Sequence, residues 1–306
     1  MYGGFWYYLK NAFTQKDNSL YKIMAINILV FLVFLVLKVF LTIGGAEGIY
    51  QEIMSKLMMP AALDRLILQP WSIFTYMFLH EGLFHILFNM LFLYWFGLMV
   101  QEFLGSRKLA NLYILGGLAG GLLYLIMYNF APYFIEQRDA ALMLGASAGV
   151  YAIVVGAATL SPDTSFRLLL LGDVKIKYIA IFYVIIAFAN STGSNAGGEL
   201  AHLGGAALGY FYIILLRKGT DLGVPVQAVG RFFESIIAGR PNVKVSYRKK
   251  NPPYKSEPLK DSEVKSSSNS ATTQEEIDRI LDKIADKGYD SLSKEEKRKL
   301  FEYSNK

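Results

Sequence analysis

A chain of 306 residues in which 53% are hydrophobic and only 18% charged is too apolar for an ordinary soluble domain of its length. Its formal net charge of +6 sits on Lys and Arg between the apolar runs and towards the C-terminal end. That is where topology determinants sit, so nucleic-acid binding is excluded; with no cysteine, so are disulfides, thiolate nucleophiles and Cys-ligated zinc.

Residues 1–22 place Phe5, Trp6, Tyr7 and Tyr8 ahead of Lys10, which is not the basic, apolar, small-residue order of a cleavable signal. The first apolar run is therefore expected to stay as an anchor. Crossing about 30 Å of hydrocarbon takes about 20 helical residues, and six runs approach that length: 24–42, 83–103, 109–130, 142–160, 178–189 with an apolar lead-in, and 201–216. Asp173, Lys175 and Lys177 interrupt the start of the fifth. The expected fold class is an all-α membrane protein with six transmembrane helices in residues 23–219. Lys10, Lys16, Lys22, Arg107, Lys108, Arg167, Lys175, Lys177, Arg217 and Lys218 fall on one side, and only Lys56, Arg65 and Arg138 on the other. The positive-inside rule then places both termini in the cytoplasm, with Lys38 near enough to the outer end of the first helix to snorkel.

Beyond the bundle, residues 220–272 read as a largely irregular linker, Ser-rich and charged from 247 onward. Residues 273–306 read as a small helical hairpin at the end of a cytoplasmic tail. Thr273 and Glu276 form a capping box, Ile277, Ile280, Leu281 and Ile284 line one face, and Gly288 suits the stop. Ser293 and Glu296 open a second helix that carries Leu300 and Phe301. Packing of the hairpin on itself is the expectation; docking to a protein partner is the alternative.

The only histidines, His80, His85 and His202, all fall near the outer helix ends in this topology. The second, fourth and sixth helices run inward, so His85 and Asn89 occupy the first turns of the second and His202 the start of the sixth. Ser147 lies in the early turns of the fourth, roughly 8 Å below the surface at helical rise. A lone membrane Ser usually bonds a carbonyl one turn back, and a lone His usually links helices. Here they share one depth and small neighbours: Gly145 and Gly149 flank Ser147, and Gly205 and Gly209 follow His202. Such stripes permit the close approach that a Ser–His hydrogen bond across two helices requires. Amide hydrolysis needs a nucleophile, a base and donors for an oxyanion. Ser147 and His202 supply the first two; His85 and Asn89, four apart on one face, supply donors beside the Ser147 N–H. The one acid near His202 is Glu199, read in the preceding loop, so a dyad is expected, with no metal and no cofactor.

Other chemistries fit less well. Gly145 to Gly149 matches a lipase nucleophile elbow, but its flanks are apolar helix and not strand. His80 and His85 are five apart, and a zinc-protease helix needs four. A transporter or channel leaves the shared depth of Ser147, His202, His85 and Asn89 unexplained.

Together these residues resemble the rhomboid family of intramembrane serine proteases: Gly-x-Ser at Gly145 to Ser147, His-x-x-Gly-x-x-x-Gly at His202, Gly205 and Gly209, and His-x-x-x-x-His-x-x-x-Asn at His80, His85 and Asn89. The likeness runs from about residue 71 to 209. It implies a six-helix bundle of the bacterial type, a Ser147–His202 catalytic dyad, an oxyanion hole at His85 and Asn89, and Tyr151 packed on the His202 ring. It also implies a substrate that is a single-span membrane protein, cleaved within the lipid bilayer near the external face, and a bacterial inner-membrane location. Gln101-Glu102-Phe103-Leu104-Gly105-Ser106 is similar to the family's signature, in which the Glu caps the turn into the third helix. Two positions depart from the pattern. Ala148 replaces the Gly that commonly follows the nucleophile, which narrows the oxyanion site. Ser72 follows Trp71 where Arg is common, which weakens the anchoring of the first external loop. The rival reading is a rhomboid-like pseudoenzyme, a membrane binding or trafficking protein; such relatives usually lack nucleophile or base, and this chain has both. The stretch 190–198, rich in Gly, Asn and Ser, reads as a lid over the site.

Overall fold

The computed structural model describes residues 18–168, 172–237, 274–287 and 291–304. Helix α1 (Ser19–Ile43) leads into α2 (Glu47–Leu57), the two-residue strand β1 (Met59–Pro60), short helices α3 (Leu63–Leu68) and α4 (Ser72–Thr75), and a 3-10 turn at Tyr76–Phe78. Then come α5 (Leu83–Leu104), α6 (Ser106–Phe130), the single turn α7 (Pro132–Ile135), β2 (Leu142–Met143) and α8 (Ser147–Leu160). The hairpin β3 (Ser165–Leu168) and β4 (Gly172–Lys175) precedes α9 (Ile176–Ala189), α10 (Ala196–Arg217) and α11 (Val224–Ile237). Among the described residues, α1, α5, α6 and α10 are long and apolar enough to cross a membrane, and α8 and α9 are shorter apolar helices. Val33, Phe40, Phe84, Phe88, Ile181 and Phe188 point outward from them, exposed. A surface this apolar suits hydrocarbon and not water, and the chain is an integral membrane protein.

The core gathers on α8, which packs against α6 on one flank and α10 on another. Ala152, Ile153 and Ala157 of α8 are fully buried, with Leu109 and Leu112 of α6 and Ile213 of α10 in the same cluster. Contact between α8 and α10 is backbone to backbone. A Cβ at Gly205 would collide with the Ala148 carbonyl, and one at Gly209 with that of Ala152. Glycine is thus required here by closeness.

Two helix starts differ from expectation, and both matter. Leu142 and Met143 do not begin the fourth helix; they pair antiparallel with Pro60 and Met59, and α8 starts at Ser147. The helix of the sixth run, α10, starts at Ala196, where burial of Ala196 and Leu200 in the bundle offsets the weak helix preference of Gly197 and Gly198. Glu199 is therefore helical, and the stretch read as a lid contributes only 190–195 outside the helix.

The loop expected to be the first external one is firmly tied despite Ser72. Trp71 Nε1 donates to the Lys56 carbonyl at 2.8 Å, Thr75 Oγ1 to that of Leu57 at 2.6 Å, and buried Ser72 Oγ to that of Gln69 at 2.7 Å. Backbone acceptors at the end of α2 and just after α3 do the anchoring, so no Arg is needed. Lys38 reaches over the Tyr50 ring of α2, 5.8 Å from its centre. At the α5–α6 joint, Glu102 is exposed and does not cap the turn. Gly105, at φ 82°, makes the turn, while Gln101 and Ser106 side-chain oxygens accept the first two N–H groups of α1 at 3.2 and 2.6 Å.

Helix α11 lies inside the segment read as irregular linker, and a polar knot precedes it. Asp221 accepts from Lys108 at 2.6 Å, from the Gly223 N–H at 2.8 Å and from Tyr212 at 3.2 Å. Residues 238–272, including most of that linker, lie outside the described residues.

The C-terminal unit is a helical pair, α12 (Gln274–Lys287) and α13 (Lys294–Ser304). Ile277, Ile280 and Leu292 are buried, with Ile284 and Leu300 packed against them. Leu281 is exposed, one position off the buried stripe, which corrects its expected place. The second capping box forms: the Ser293 N–H donates to Glu296 at 2.7 Å and the Glu296 N–H to Ser293 Oγ at 3.3 Å. Thr273, Gly288 and the Phe301 side chain lie outside the described residues.

Candidate active site

Gly145 sets the entrance to α8. Its φ of 133° is strained for any side chain, and its N–H donates to the Tyr76 carbonyl at 2.9 Å, which fixes the bend from β2. Ser147 then becomes the first residue of α8, so its own N–H has no acceptor within the helix. The glycine-lined approach of α10 brings His202 over it: Nε2 lies 2.7 Å from Ser147 Oγ. Tyr151, one turn along α8, lies face to face with the His202 ring at 4.2 Å and 8°.

The other ring nitrogen is also engaged. His202 Nδ1 is 3.1 Å from Glu199 Oε2, with both side chains largely buried, at 13% and 16% exposure. Glu199, expected in the loop before the sixth run, thus lies within α10 beside the His202 ring. Because α10 starts at Ala196, Glu199 sits three residues before His202 on the same helical face.

His85 and Asn89 face the same cavity, about 890 Å³, together with Ser147, Tyr151, Tyr183 and His202. A Cβ on Gly145 would stand 3.1 Å from His85 Nε2 and 3.4 Å from Ser147 Oγ. The space that Gly145 leaves empty therefore borders both His85 Nε2 and the Ser147 hydroxyl. Asn89 is buried and donates from Nδ2 to the His85 carbonyl at 2.9 Å; the amide's second hydrogen remains for another acceptor. His80 is buried edge-on against His85, ring centres 5.1 Å apart, and so fixes that ring's position. Ala148 does not narrow the site: it is buried against α6, where a Cβ on Gly120 would meet its methyl at 2.6 Å.

Sequence reasoning missed Tyr183 of α9, whose ring meets Tyr151 edge-on at 5.8 Å and Phe92 of α5 at 4.8 Å. No motif marks it; a helical-face count through the fifth run is the one signal that would have found it.

Residues 68–219 match the model of the Rhomboid domain, and residues 262–306 match a family of unknown function, DUF6576. Over 158 residues the chain is 31% identical to RHOMBOID-like protein 12, mitochondrial, of Arabidopsis thaliana, covering 48% of this chain and 47% of that protein. It is 27% identical to Rhomboid-like protease 3 of Toxoplasma gondii over 47% of this chain and 52% of that one. To Rhomboid protease GlpG of Salmonella paratyphi A it is 26% identical, over 45% of this chain and 46% of the relative. The chain thus spans about half the length of these relatives.

Proposed function

The chain belongs to the rhomboid family, and from that premise we propose that it is an intramembrane serine endopeptidase with Ser147 as nucleophile and His202 as general base. The observation that carries the reading is the 2.7 Å approach of His202 Nε2 to Ser147 Oγ inside a cavity with donors on its far wall. His202 takes the Ser147 proton as Oγ adds to the scissile carbonyl carbon. The resulting oxyanion accepts from the Ser147 N–H, from His85 and from the free hydrogen of Asn89, at a helix N-terminus that favours negative charge. Protonated His202 then gives its proton to the leaving nitrogen as the C–N bond breaks, which leaves an ester on Ser147. A water, deprotonated in turn by His202, adds to that ester and releases the acid and the free hydroxyl.

Helix α8 has 14 residues, which at helical rise span about 21 Å, less than the hydrocarbon thickness of about 30 Å. Such a short helix leaves room for water above Ser147, which hydrolysis requires. In this reading α1, α5, α6, α8, α9 and α10 are the six spans, both termini are cytoplasmic, and the membrane is the bacterial inner membrane. The substrate is a single-span protein whose helix unwinds near the external face at small or helix-breaking residues.

Fluorophosphonate labelling tests the assignment. Purified wild type is expected to gain one adduct, on Ser147, and neither Ser147→Ala nor His202→Ala should label. Equal labelling of Ser147→Ala would overturn it, and an unlabelled, inactive wild type would favour a membrane-binding protein on the same fold.

A further inference from the structure

We propose that Glu199 completes the site as a positioning residue, holding His202 in the tautomer and orientation that Ser147 requires. The inference rests on Ser147 and His202 acting as nucleophile and base. To accept the Ser147 proton, Nε2 must present its lone pair, so the ring hydrogen must sit on Nδ1, where it needs an acceptor. Glu199 Oε2 lies 3.1 Å from that nitrogen. The ring is then fixed at three points: Ser147 at Nε2, Glu199 at Nδ1 and the stacked Tyr151 across one face. When the proton transfers, the imidazolium forms in a largely buried position, where a carboxylate at this distance offsets its charge.

A carboxylate in the first turn of a helix also stabilises the helix N-terminus with no catalytic consequence, and Glu199 occupies such a turn. Its neighbours bear on which role dominates. The titratable groups that share the cavity with His202 are Tyr151, His85, Tyr183, Tyr124, Tyr128 and Glu81. Glu81 is exposed, and no other carboxylate bonds the His202 ring among the described residues. Charge balance at the imidazolium therefore falls to Glu199.

Glu199→Gln keeps the shape and an acceptor oxygen but removes the charge. In full-length protein cleaving a membrane substrate in detergent, kcat should fall at least tenfold with KM within about twofold. Glu199→Asp, which keeps the carboxylate, should restore most of the lost kcat. A kcat of Glu199→Gln within twofold of wild type would overturn the proposal, whatever happens to the melting temperature, because helix stabilisation alone predicts that result. If the Gln variant fails to fold, ¹⁵N-histidine NMR on wild type decides: a neutral His202 carrying its hydrogen on Nδ1, bonded and shifted downfield, supports the proposal, and an Nε2–H tautomer overturns it. Ser147→Ala separates the two readings. If it still cleaves, the nucleophile assignment fails; if it is dead while Glu199→Gln is unchanged, Glu199 alone is misassigned.

Discussion

Helices α8 and α9 have the same length and opposite lives. Nine of the 14 residues of α8 are buried, whereas α9 buries only Ile176, Ala180 and Ala187. Gly156 and Gly149 let α8 press on α6 and α10, so Ser147 and His202 are held by backbone contact. Helix α9 instead turns Tyr178, Ile181, Phe182, Ile185 and Phe188 outward and meets the site through one ring, Tyr183. In the proposed mechanism the chemistry, which needs sub-ångström precision, falls to the tight pair, and the loosely held wall is the element that would yield to a substrate.

The strongest test of that contrast is to damage each side. Gly205→Ala drives a methyl into the Ala148 carbonyl, and should destabilise the bundle by about 1–3 kcal/mol and lower activity at least 100-fold. Phe182→Ala, on the outward face of α9, should alter thermal stability by no more than about 0.5 kcal/mol. Comparable losses from both, by melting in detergent, would erase the distinction.

Within the tight half, His85→Ala and Asn89→Ala should each reduce kcat by about 10²–10³-fold, with KM within about twofold, the signature of a donor used in the transition state. A rise in KM alone would make either residue a binding or structural group.

Movement of α9 can be tested by tying it to α5. An apolar groove of about 460 Å³ runs between α5 and α9, lined by Phe92, Trp95, Phe182 and Tyr183 among others. The chain has no cysteine, so a bismaleimide crosslink between cysteines at positions 92 and 183, where the rings meet at 4.8 Å, would be unique. It should slow cleavage of membrane substrates at least tenfold while leaving fluorophosphonate labelling within about twofold. Unchanged cleavage after confirmed crosslinking would rule out lateral access on this side.

The smallest effect is expected in the tail. Truncation after residue 237 keeps the Asp221 knot and should leave peptidase activity within about twofold. Truncation after Thr220 removes Asp221, the partner of Lys108, Tyr212 and Gly223, and should lower the melting temperature measurably. Equal melting of the two would show that the knot contributes nothing.

Much of the candidate site was legible because the proposed chemistry needs scarce residues. With three histidines in the chain, His85 and His202 stood out, and glycines at three and seven residues beyond His202 announced the close approach. Helix starts were not legible. Small residues at 196–198 carry no apolar signal, so Glu199 read as loop although it lies one turn from His202. Leu142 and Met143 are as apolar as any span, and only pairing with Met59 and Pro60, far away in sequence, makes them strand. Glu102 misled for the converse reason: the turn it was expected to cap is made by Gly105, and the joint is tied through Gln101 and Ser106 to α1, contacts that no local pattern contains.

Whether Ser147 and His202 form one hydrolytic unit is tested most directly by cleavage of a single-span substrate by the reconstituted protein. Wild type should cut near the external face in proteoliposomes, while Ser147→Ala at equal amount and orientation should yield no product above background. Product from Ser147→Ala within tenfold of wild type would contradict the account.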